Sequence, residues 1–176
     1  GLRKTLVVVQ FAITAILIVS TLVVIKQMSY IRDKSLGFDT KAIALINVPT
    51  DSLSKLKYNS FRDEILKKTG VSRVSFCSEA PSSGNNSETN FSYNSSKDAD
   101  FQVNIKTADE DYFETFGLQL VAGKELSKSD TTKEFVVNET LLKKLNVSNP
   151  NEALGKIINL SGGKGPVVGV VKDFNN

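Results

Sequence analysis

Side chains that could carry out chemistry are scarce in this sequence. Its 176 residues contain no histidine and a single cysteine, Cys77. Without histidine, the chain has no imidazole for acid–base catalysis, for a Ser–His–Asp triad or for binding a metal. A lone thiol can form neither an internal disulfide nor a thiolate metal cluster. Cys77 ends the alternating stretch VSRVSFC, which predicts a thiol buried in a core and not a nucleophile.

A group of carboxylates is the strongest candidate for a metal site. Asp109, Glu110, Asp111 and Glu114 lie close together in the sequence. However, Thr107 precedes Glu110 at the spacing of a capping box, and acidic side chains are favoured in the first turn of a helix. The pattern therefore predicts the start of a helix, and not a calcium or magnesium site.

Residues 161–165, SGGKG, are superficially similar to a phosphate-binding loop. They lack the G-x-x-x-x-G-K-[ST] spacing, and they precede a predicted strand, whereas a phosphate loop precedes a helix. A turn of a hairpin is the better interpretation. Together these observations predict no catalytic residues, no cofactor-binding residues and no metal ligands in the chain. We expect no cofactor and no enzymatic activity.

The elements that organise the chain begin with an apolar segment. Residues 6–25, LVVVQFAITAILIVSTLVVI, contain no charged side chain, and Lys4 and Lys26 bracket them. A helix rises about 1.5 Å per residue, so about twenty residues cross a hydrocarbon core of about 30 Å. A signal peptide would have a shorter apolar region and a small-residue cleavage site, and a soluble core helix would need more protein around it. We therefore predict a membrane span.

The basic side chains are concentrated beside this span. Residues 1–37 carry a net charge of +4, whereas residues 38–176 carry −1, although the sequence pI is about 8.9. The basic excess therefore does not form a nucleic-acid surface. Arg3 and Lys4 favour a cytoplasmic N-terminal end, although basic residues also follow the span. The domain after the span is then extracytoplasmic.

The sequence divides into two parts. The helix of the span is expected to continue as a stalk to Ser35, with Gly37 ending it. Residues 1–37 are therefore predicted to be a transmembrane helix and stalk. Residues 38–176 are predicted to be one extracytoplasmic domain, C-terminally incomplete, with a polar excursion at about residues 78–106 that is rich in serine and asparagine.

The domain sequence alternates between strand and helix patterns. Before the excursion we predict a strand, a helix and a strand, over residues 42–48, 50–69 and 71–77. Phe91 and Tyr93 alternate with polar residues, so a short strand is expected inside the excursion. After it, short strands accompany a helix that starts at Thr107 and a helix capped by Asn138, and residues 156–171 form a hairpin. Such β-α-β units predict an α+β domain with a mixed or mostly antiparallel sheet.

Three stretches resemble the MacB/FtsX-type permease subunits of bacterial ABC transporters. The first is residues 2–39, from LRKT to LGFD, which is similar to a membrane helix of this family followed by its stalk. The second is DYFETFGLQLVAGKELS, where Lys124 and Leu126 occupy the variable places of the family's AG-[RK]-x-[FL]-S turn. The third comprises VVNETLLKKL, ALGKIINL and VVGVVKDFN, which are similar to the end of the MacB-like periplasmic core domain.

The resemblance implies a porter-like and sabre-like MacB periplasmic core, of α+β fold, after an N-terminal transmembrane helix. It implies a non-catalytic permease subunit in the bacterial inner membrane, with residues 38–176 in the periplasm. Such a subunit couples cytoplasmic ATP hydrolysis to export, or to mechanical work, with drug, peptide or lipoprotein substrates. The first stretch is similar to the duplicated, eight-helix kind of permease that is common in Bacteroidetes-like sequences.

The resemblance also implies partners. These are a cytoplasmic ABC ATPase, membrane lipid, a second copy or second permease half, and a periplasmic or outer-membrane protein, with no nucleic acid. The alternative function is a single-span sensor or ligand-binding domain that binds its ligand in the polar excursion. Further apolar spans in the parent reading frame, with an ATPase encoded beside it, would favour the permease. A kinase or peptidoglycan module in that frame would favour the sensor.

Overall fold

A computed structural model describes residues 1–33, 37–38 and 42–174 of the chain. The chain divides into two compact units, Gly1–Ser35 and Leu36–Asn176. The described part of the first unit is a long helix, and the second unit has the predicted α+β fold.

The helix of the first unit is α1 (Leu2–Asp33). Among the described residues it is the one helix long and apolar enough to cross a membrane, judged by length and composition. The hydroxyls of Thr14 and Thr21 donate to backbone carbonyl oxygens one turn earlier, at 2.9 and 2.8 Å. Neither hydroxyl therefore leaves an unpaired donor in the apolar run. The predicted end of the stalk at Ser35 lies outside the described residues.

The second unit consists of short elements. The first are two helices, α2 (Ser52–Lys55) and α3 (Tyr58–Leu66). There follow β1 (Ser87–Thr89), β2 (Phe91–Tyr93), β3 (Val103–Ile105) and α4 (Tyr112–Phe116). The remaining elements are β4 (Leu120–Gly123), β5 (Phe135–Asn138), α5 (Glu139–Lys144), a 3₁₀ helix (Pro150–Ala153), β6 (Ile157–Leu160) and β7 (Gly163–Val171).

Strand β7 is the centre of a mixed, five-stranded sheet. Strands β4 and β6 pair with it antiparallel, β5 pairs with it parallel, and β2 pairs antiparallel with β6. Strands β1 and β3 form a separate antiparallel pair. Leu160 faces Gly163 across the β6–β7 hairpin, so Ser161 and Gly162 form a two-residue turn. The predicted hairpin and mixed sheet are therefore confirmed.

The described residues form two hydrophobic cores, and β7 contributes side chains to both. The first contains Val137, Leu142, Ala153, Ile158, Val167 and Val170. The second contains Tyr112, Phe113, Phe116, Leu118 and Val171. Successive side chains of a strand point to opposite faces, which explains why the neighbours Val170 and Val171 belong to different cores. Asn138 caps α5 as predicted, because its side chain accepts a hydrogen bond from the Leu141 N–H.

Two predicted strands are not formed. Residues 42–48 and 71–77 have no ladder partner among the described residues, apart from a single bridge between Cys77 and Ala108. An alternating or β-branched pattern predicts an extended chain, but a strand also needs a neighbour with unpaired backbone groups. The prediction of a first β-α-β unit is therefore wrong. The second predicted unit is present as β5, α5, β6 and β7.

The polar excursion is more ordered than its composition predicts. Phe91 and Ser92 of β2 are each 1% exposed, and β2 is a strand of the main sheet. The Phe91 ring packs edge-to-face on Phe101, with centroids 5.3 Å apart. The short strand expected at this position is confirmed, and one buried aromatic ring anchors a segment that is otherwise serine- and asparagine-rich.

The helix predicted over residues 50–69 is split. Helix α2 ends before Leu56, and α3 begins at Tyr58. Asp51 is the N-cap of α2, because its carboxylate accepts hydrogen bonds from the N–H groups of Leu53 and Ser54. A hydrogen bond with the Ser54 side chain contributes most to lowering the pKa of Asp51, and the bonds from the backbone N–H groups lower it further.

Candidate functional site

The residues that begin the second unit pack into its second core through aromatic rings. The ring centroid of Phe38 lies 6.4 Å from that of Phe116 in α4 and 6.5 Å from that of Phe174, which follows β7. Both contacts are edge-to-face, a geometry worth about 0.5–1.5 kcal/mol beyond the buried area. We call these three residues the Phe38 cluster. It fastens the start of the domain to α4 and to the segment after β7.

Gly37 permits this close approach. Its φ of 81° lies in the left-handed region. A Cβ at this position would lie 2.9 Å from the carbonyl oxygen of Asp173 and 2.9 Å from the Cα of Phe174. Only glycine satisfies both conditions without strain. The predicted role of Gly37 in ending the stalk depends on residues outside the described ones, whereas its contact with the segment after β7 is clear.

Asp173 ties the same segment to α5. Its carboxylate accepts hydrogen bonds from the N–H and hydroxyl of Thr140, at 2.8 and 2.9 Å, and from the ammonium of Lys143 at 3.4 Å. Burial alone would raise the pKa of Asp173, but these hydrogen bonds outweigh it and lower the pKa. The N-terminal end of a helix dipole also favours a negative charge, and Asp173 contacts Thr140 in the first turn of α5. The start of the domain, α4, α5 and β7 therefore meet at one place.

Replacing Asp173 with asparagine is expected to lower the free energy of unfolding by about 1 kcal/mol at neutral pH, because the charge-assisted hydrogen bonds weaken. Since the folded-state pKa is lowered, this contribution is present above the unfolded-state value of about 3.9 and is lost as pH falls through the folded-state value. Urea unfolding in detergent at several pH values measures it. Asp98→Asn, at an exposed position, is the control, and a wild-type-to-variant difference that stays constant in acid would contradict the assignment.

A second set of contacts joins α3 to the segment before α4. The Arg62 guanidinium donates to the Asp109 carboxylate, and their side chains are only 14% and 15% exposed. Asp109 also accepts from the Ser75 hydroxyl at 2.6 Å and from the Phe76 N–H at 2.7 Å. The Arg62 guanidinium carbon lies 5.2 Å from the centroid of the Phe76 ring. We call these four residues the Arg62 junction.

The carboxylates considered as a metal site are bound by basic side chains. Besides Asp109, Arg62 lies 3.7 Å from Glu110 and 3.5 Å from Asp111. Glu114 pairs with Arg73. No group of three or more histidine, cysteine or acidic side chains in the described part of the chain could hold a metal ion. The acidic side chains of this run therefore form ion pairs with arginines from a different part of the sequence.

The predicted capping box is wrong. Helix α4 begins at Tyr112, and Asp111 precedes it without a capping hydrogen bond from its side chain. Thr107 instead donates its N–H to the Ser78 hydroxyl at 2.9 Å, and its carbonyl accepts from the Ser78 N–H at 2.7 Å. Pairing with a distant segment therefore overrides the local capping pattern, and Asp109 is drawn into the Arg62 junction.

Cys77 lies half-buried at the edge of the second core. Burial raises the pKa of its thiol, and the charges of Asp109 and Glu79 raise it further. The thiolate is the reactive form of cysteine, so a raised pKa makes the side chain less reactive. Cys77 therefore packs against the core, but it is not fully buried in it as the sequence predicts.

A shallow groove lies between the polar excursion and the β6–β7 turn. Its lining includes Glu88, Asp98, Gln102 and Asn159. The groove is wide open, and some of its polar groups bond to each other, such as the Gln102 amide to Asn90 at 3.0 Å. This is the place where the ligand of the alternative function would bind.

The comparison with known families decides the identity of this arrangement. A family model described as the MacB-like periplasmic core domain matches residues 6–176. The chain belongs to this family. The predicted relationship is therefore confirmed, while the duplicated, eight-helix subgroup stays a prediction.

Two solved structures are similar to part of this chain. The periplasmic region of MacB from Actinobacillus actinomycetemcomitans is 24% identical, with a TM-score of 0.49, and the match covers 65% of this chain and 50% of that chain. The extracellular domain of the noncanonic ABC-type transporter YknZ from Gram-positive bacteria is 18% identical, with a TM-score of 0.48 over 65% and 56%. The chain thus spans about half the length of these structures. No curated protein matches it.

The family match covers most of the apolar helix as well as the domain that comes after it in the same chain. Sequence reasoning missed the residues that fasten this domain together, namely Phe38, Phe174, Arg62 and Asp173. A signal for two of them exists. Phe38 and Phe174 stand in the motifs LGFD and KDFN, one near the start of the domain and one just after its central strand.

Proposed function

We propose that the chain is the membrane helix and periplasmic domain of a non-catalytic permease subunit in a bacterial inner membrane. The subunit couples ATP hydrolysis in the cytoplasm to export, or to mechanical work in the periplasm. One observation carries this proposal: a helix with an uncharged run of membrane-spanning length precedes, in one chain, a MacB-like domain whose first residues are fastened to its core.

The length of α1 supports a mechanical role. Its 32 residues correspond to about 48 Å of helix, which exceeds the hydrocarbon thickness of about 30 Å. A helix of this length can transmit a displacement beyond the membrane. The Phe38 cluster then passes this displacement to the core of the domain, because its rings contact α4 and the segment after β7.

The proposed partners follow from this function. A cytoplasmic ABC ATPase supplies the energy, and a second permease half or second copy completes the membrane part. Membrane lipid surrounds the span, and a periplasmic or outer-membrane protein receives the substrate or the movement. Drugs, peptides and lipoproteins are the proposed substrate classes.

Replacing Met28 with proline tests the coupling. Proline in a helix interior removes a backbone hydrogen bond and costs about 3 kcal/mol or more, so it kinks the helix. In the complete permease, reconstituted with its ATPase in vesicles, we expect Met28→Pro to abolish the stimulation of ATP turnover by substrate.

The matched control for this experiment is Met28→Leu, which keeps the helix and should keep the stimulation. Coupled turnover that persists in a correctly inserted Met28→Pro permease would refute transmission through α1. Failure of the protein to copurify with any ATPase would refute the permease function as a whole.

The groove beside the excursion favours a second candidate function, a single-span ligand-binding domain. That function predicts ligand affinity without any ATPase, and loss of affinity when Asp98 and Gln102 are replaced with alanine. An ATPase-stimulated activity that survives these two substitutions would favour the permease.

A further inference from the structure

Two leucines on the surface of the domain are almost completely exposed. Leu53 in α2 is 75% exposed, and Leu56, which follows α2, is 80% exposed. They lie three residues apart, so they share one face of a helical turn. Neither belongs to the cores formed by the described residues, and neither α2 nor α3 contains a buried residue. No residue in the described part of the domain therefore buries this apolar face.

The turn that carries the leucines is nevertheless held in a defined conformation. Asp51 accepts hydrogen bonds from Leu53 N–H at 3.1 Å and Ser54 N–H at 3.0 Å. The Tyr58 hydroxyl donates to the carbonyl oxygen of Pro49 at 2.7 Å, and the Tyr58 ring stacks on Phe76 with centroids 4.4 Å apart. Both ends of the turn are thus anchored by groups other than the leucines. These hydrogen bonds and the ring contact hold the turn that exposes the leucines.

The same region is basic in an otherwise acidic domain. Residues 51–68, which we call the α2–α3 arm, hold five lysine and arginine residues against three acidic ones, whereas the rest of residues 38–176 holds twelve against fifteen. The ammonium groups of Lys55, Lys57 and Lys68 form no ion pair with any residue that the structure describes. Two of them flank Leu56. Lysines that form no ion pair with the described residues therefore stand on both sides of Leu56 in the sequence.

We propose that the α2–α3 arm docks on a lipid surface that carries anionic headgroups. Leucines interspersed with lysines on a short helical segment are typical of structures that lie in the membrane interface. The lysines attract headgroup phosphates, and the leucines insert between the headgroups. The acidic remainder of the domain is repelled by such a surface, which limits contact to the arm. Because the chain carries its own membrane-spanning helix, lipid is present at a high effective concentration.

A tryptophan reporter tests this docking directly. The chain contains no tryptophan, so Leu56→Trp introduces a single fluorophore at the centre of the arm. The full chain is reconstituted in vesicles of phosphatidylcholine, with or without phosphatidylglycerol, and with brominated acyl chains as the quencher. We expect a blue-shifted emission that brominated lipid quenches in the anionic vesicles. Adding Lys55→Glu and Lys57→Glu to the reporter variant should abolish both the shift and the quenching.

The control reporter is Val121→Trp on β4, a position that is 43% exposed and lies outside the arm. Its emission should stay unquenched, and thermal unfolding should show that both reporters leave the fold intact. Emission from Leu56→Trp that remains unshifted, or is quenched equally in both lipids, would overturn the proposal. A blue shift without quenching would indicate a protein contact, such as a second copy, and would also overturn it. The assay needs no ATPase, so its failure leaves the proposed permease function untouched.

Discussion

Replacing Asp109 with alanine is expected to lower the free energy of unfolding by about 3 kcal/mol, because it leaves the Arg62 guanidinium largely buried without its main partner. Asp109 is also the acceptor for the Ser75 hydroxyl and the Phe76 N–H. The change therefore removes three hydrogen bonds at once. Urea unfolding of the detergent-solubilised chain, followed by circular dichroism, measures the effect.

A nearby ion pair provides the control for Asp109. Glu114 pairs with Arg73, but these side chains are 52% and 47% exposed. Solvent screens such a pair, so Glu114→Ala should cost less than about 1 kcal/mol. Asp109→Asn keeps an acceptor for the Phe76 N–H and should fall between the two. If Asp109→Ala and Glu114→Ala lower the free energy of unfolding equally, the Arg62 junction stabilises the domain no more than an exposed ion pair does.

Replacing Gly169 with alanine is expected to cost about 3 kcal/mol or more, which is at the upper end for an overpacked position. A Cβ at Gly169 would lie 2.2 Å from the carbonyl oxygen of Lys124. This oxygen belongs to the backbone, and the Lys124 N–H holds the chain in place by donating to Val168 at 2.9 Å. The clash can be relieved only by separating β4 from β7. Thermal unfolding and the yield of folded protein measure the loss.

Gly162 in the β6–β7 turn is the matched control, since a Cβ there would meet nothing within 4 Å. Gly162→Ala should therefore unfold at nearly the wild-type temperature. A wild-type melting temperature for Gly169→Ala would mean that β4 approaches β7 less closely than the structure shows.

The sequence predicts those elements whose signals are local. The uncharged run of α1, the Asn138 cap and the β6–β7 hairpin each depend on residues that are consecutive in the chain, and each is found. The segments 42–48 and 71–77 have equally good local patterns, but pairing is a property of two segments. No periodicity within one segment states whether its neighbour in space offers unpaired backbone groups.

In the candidate site, local sequence patterns predict even less, because its contacts join distant segments. Asp109 has a local interpretation as part of a capping box, yet its side chain contacts Arg62, which lies far away in the sequence. Phe38 and Phe116 are likewise distant in sequence and adjacent in space. Ion pairs and ring contacts of this kind depend on the finished fold. The sequence can nominate their members as charged or aromatic, but it cannot pair them.

The central position of β7 affects the order in which the domain folds. Strands β4 and β5 pair only with β7 in the described structure, and β2 reaches the sheet only through β6, its hairpin neighbour. When the chain is synthesised from its N-terminus, β2, β4 and β5 therefore have no partners in the main sheet until residues 157–171 have been made. Closing such long loops slows assembly, and the waiting segments are prone to aggregate. We therefore expect the sheet to assemble late in synthesis and nearly all at once.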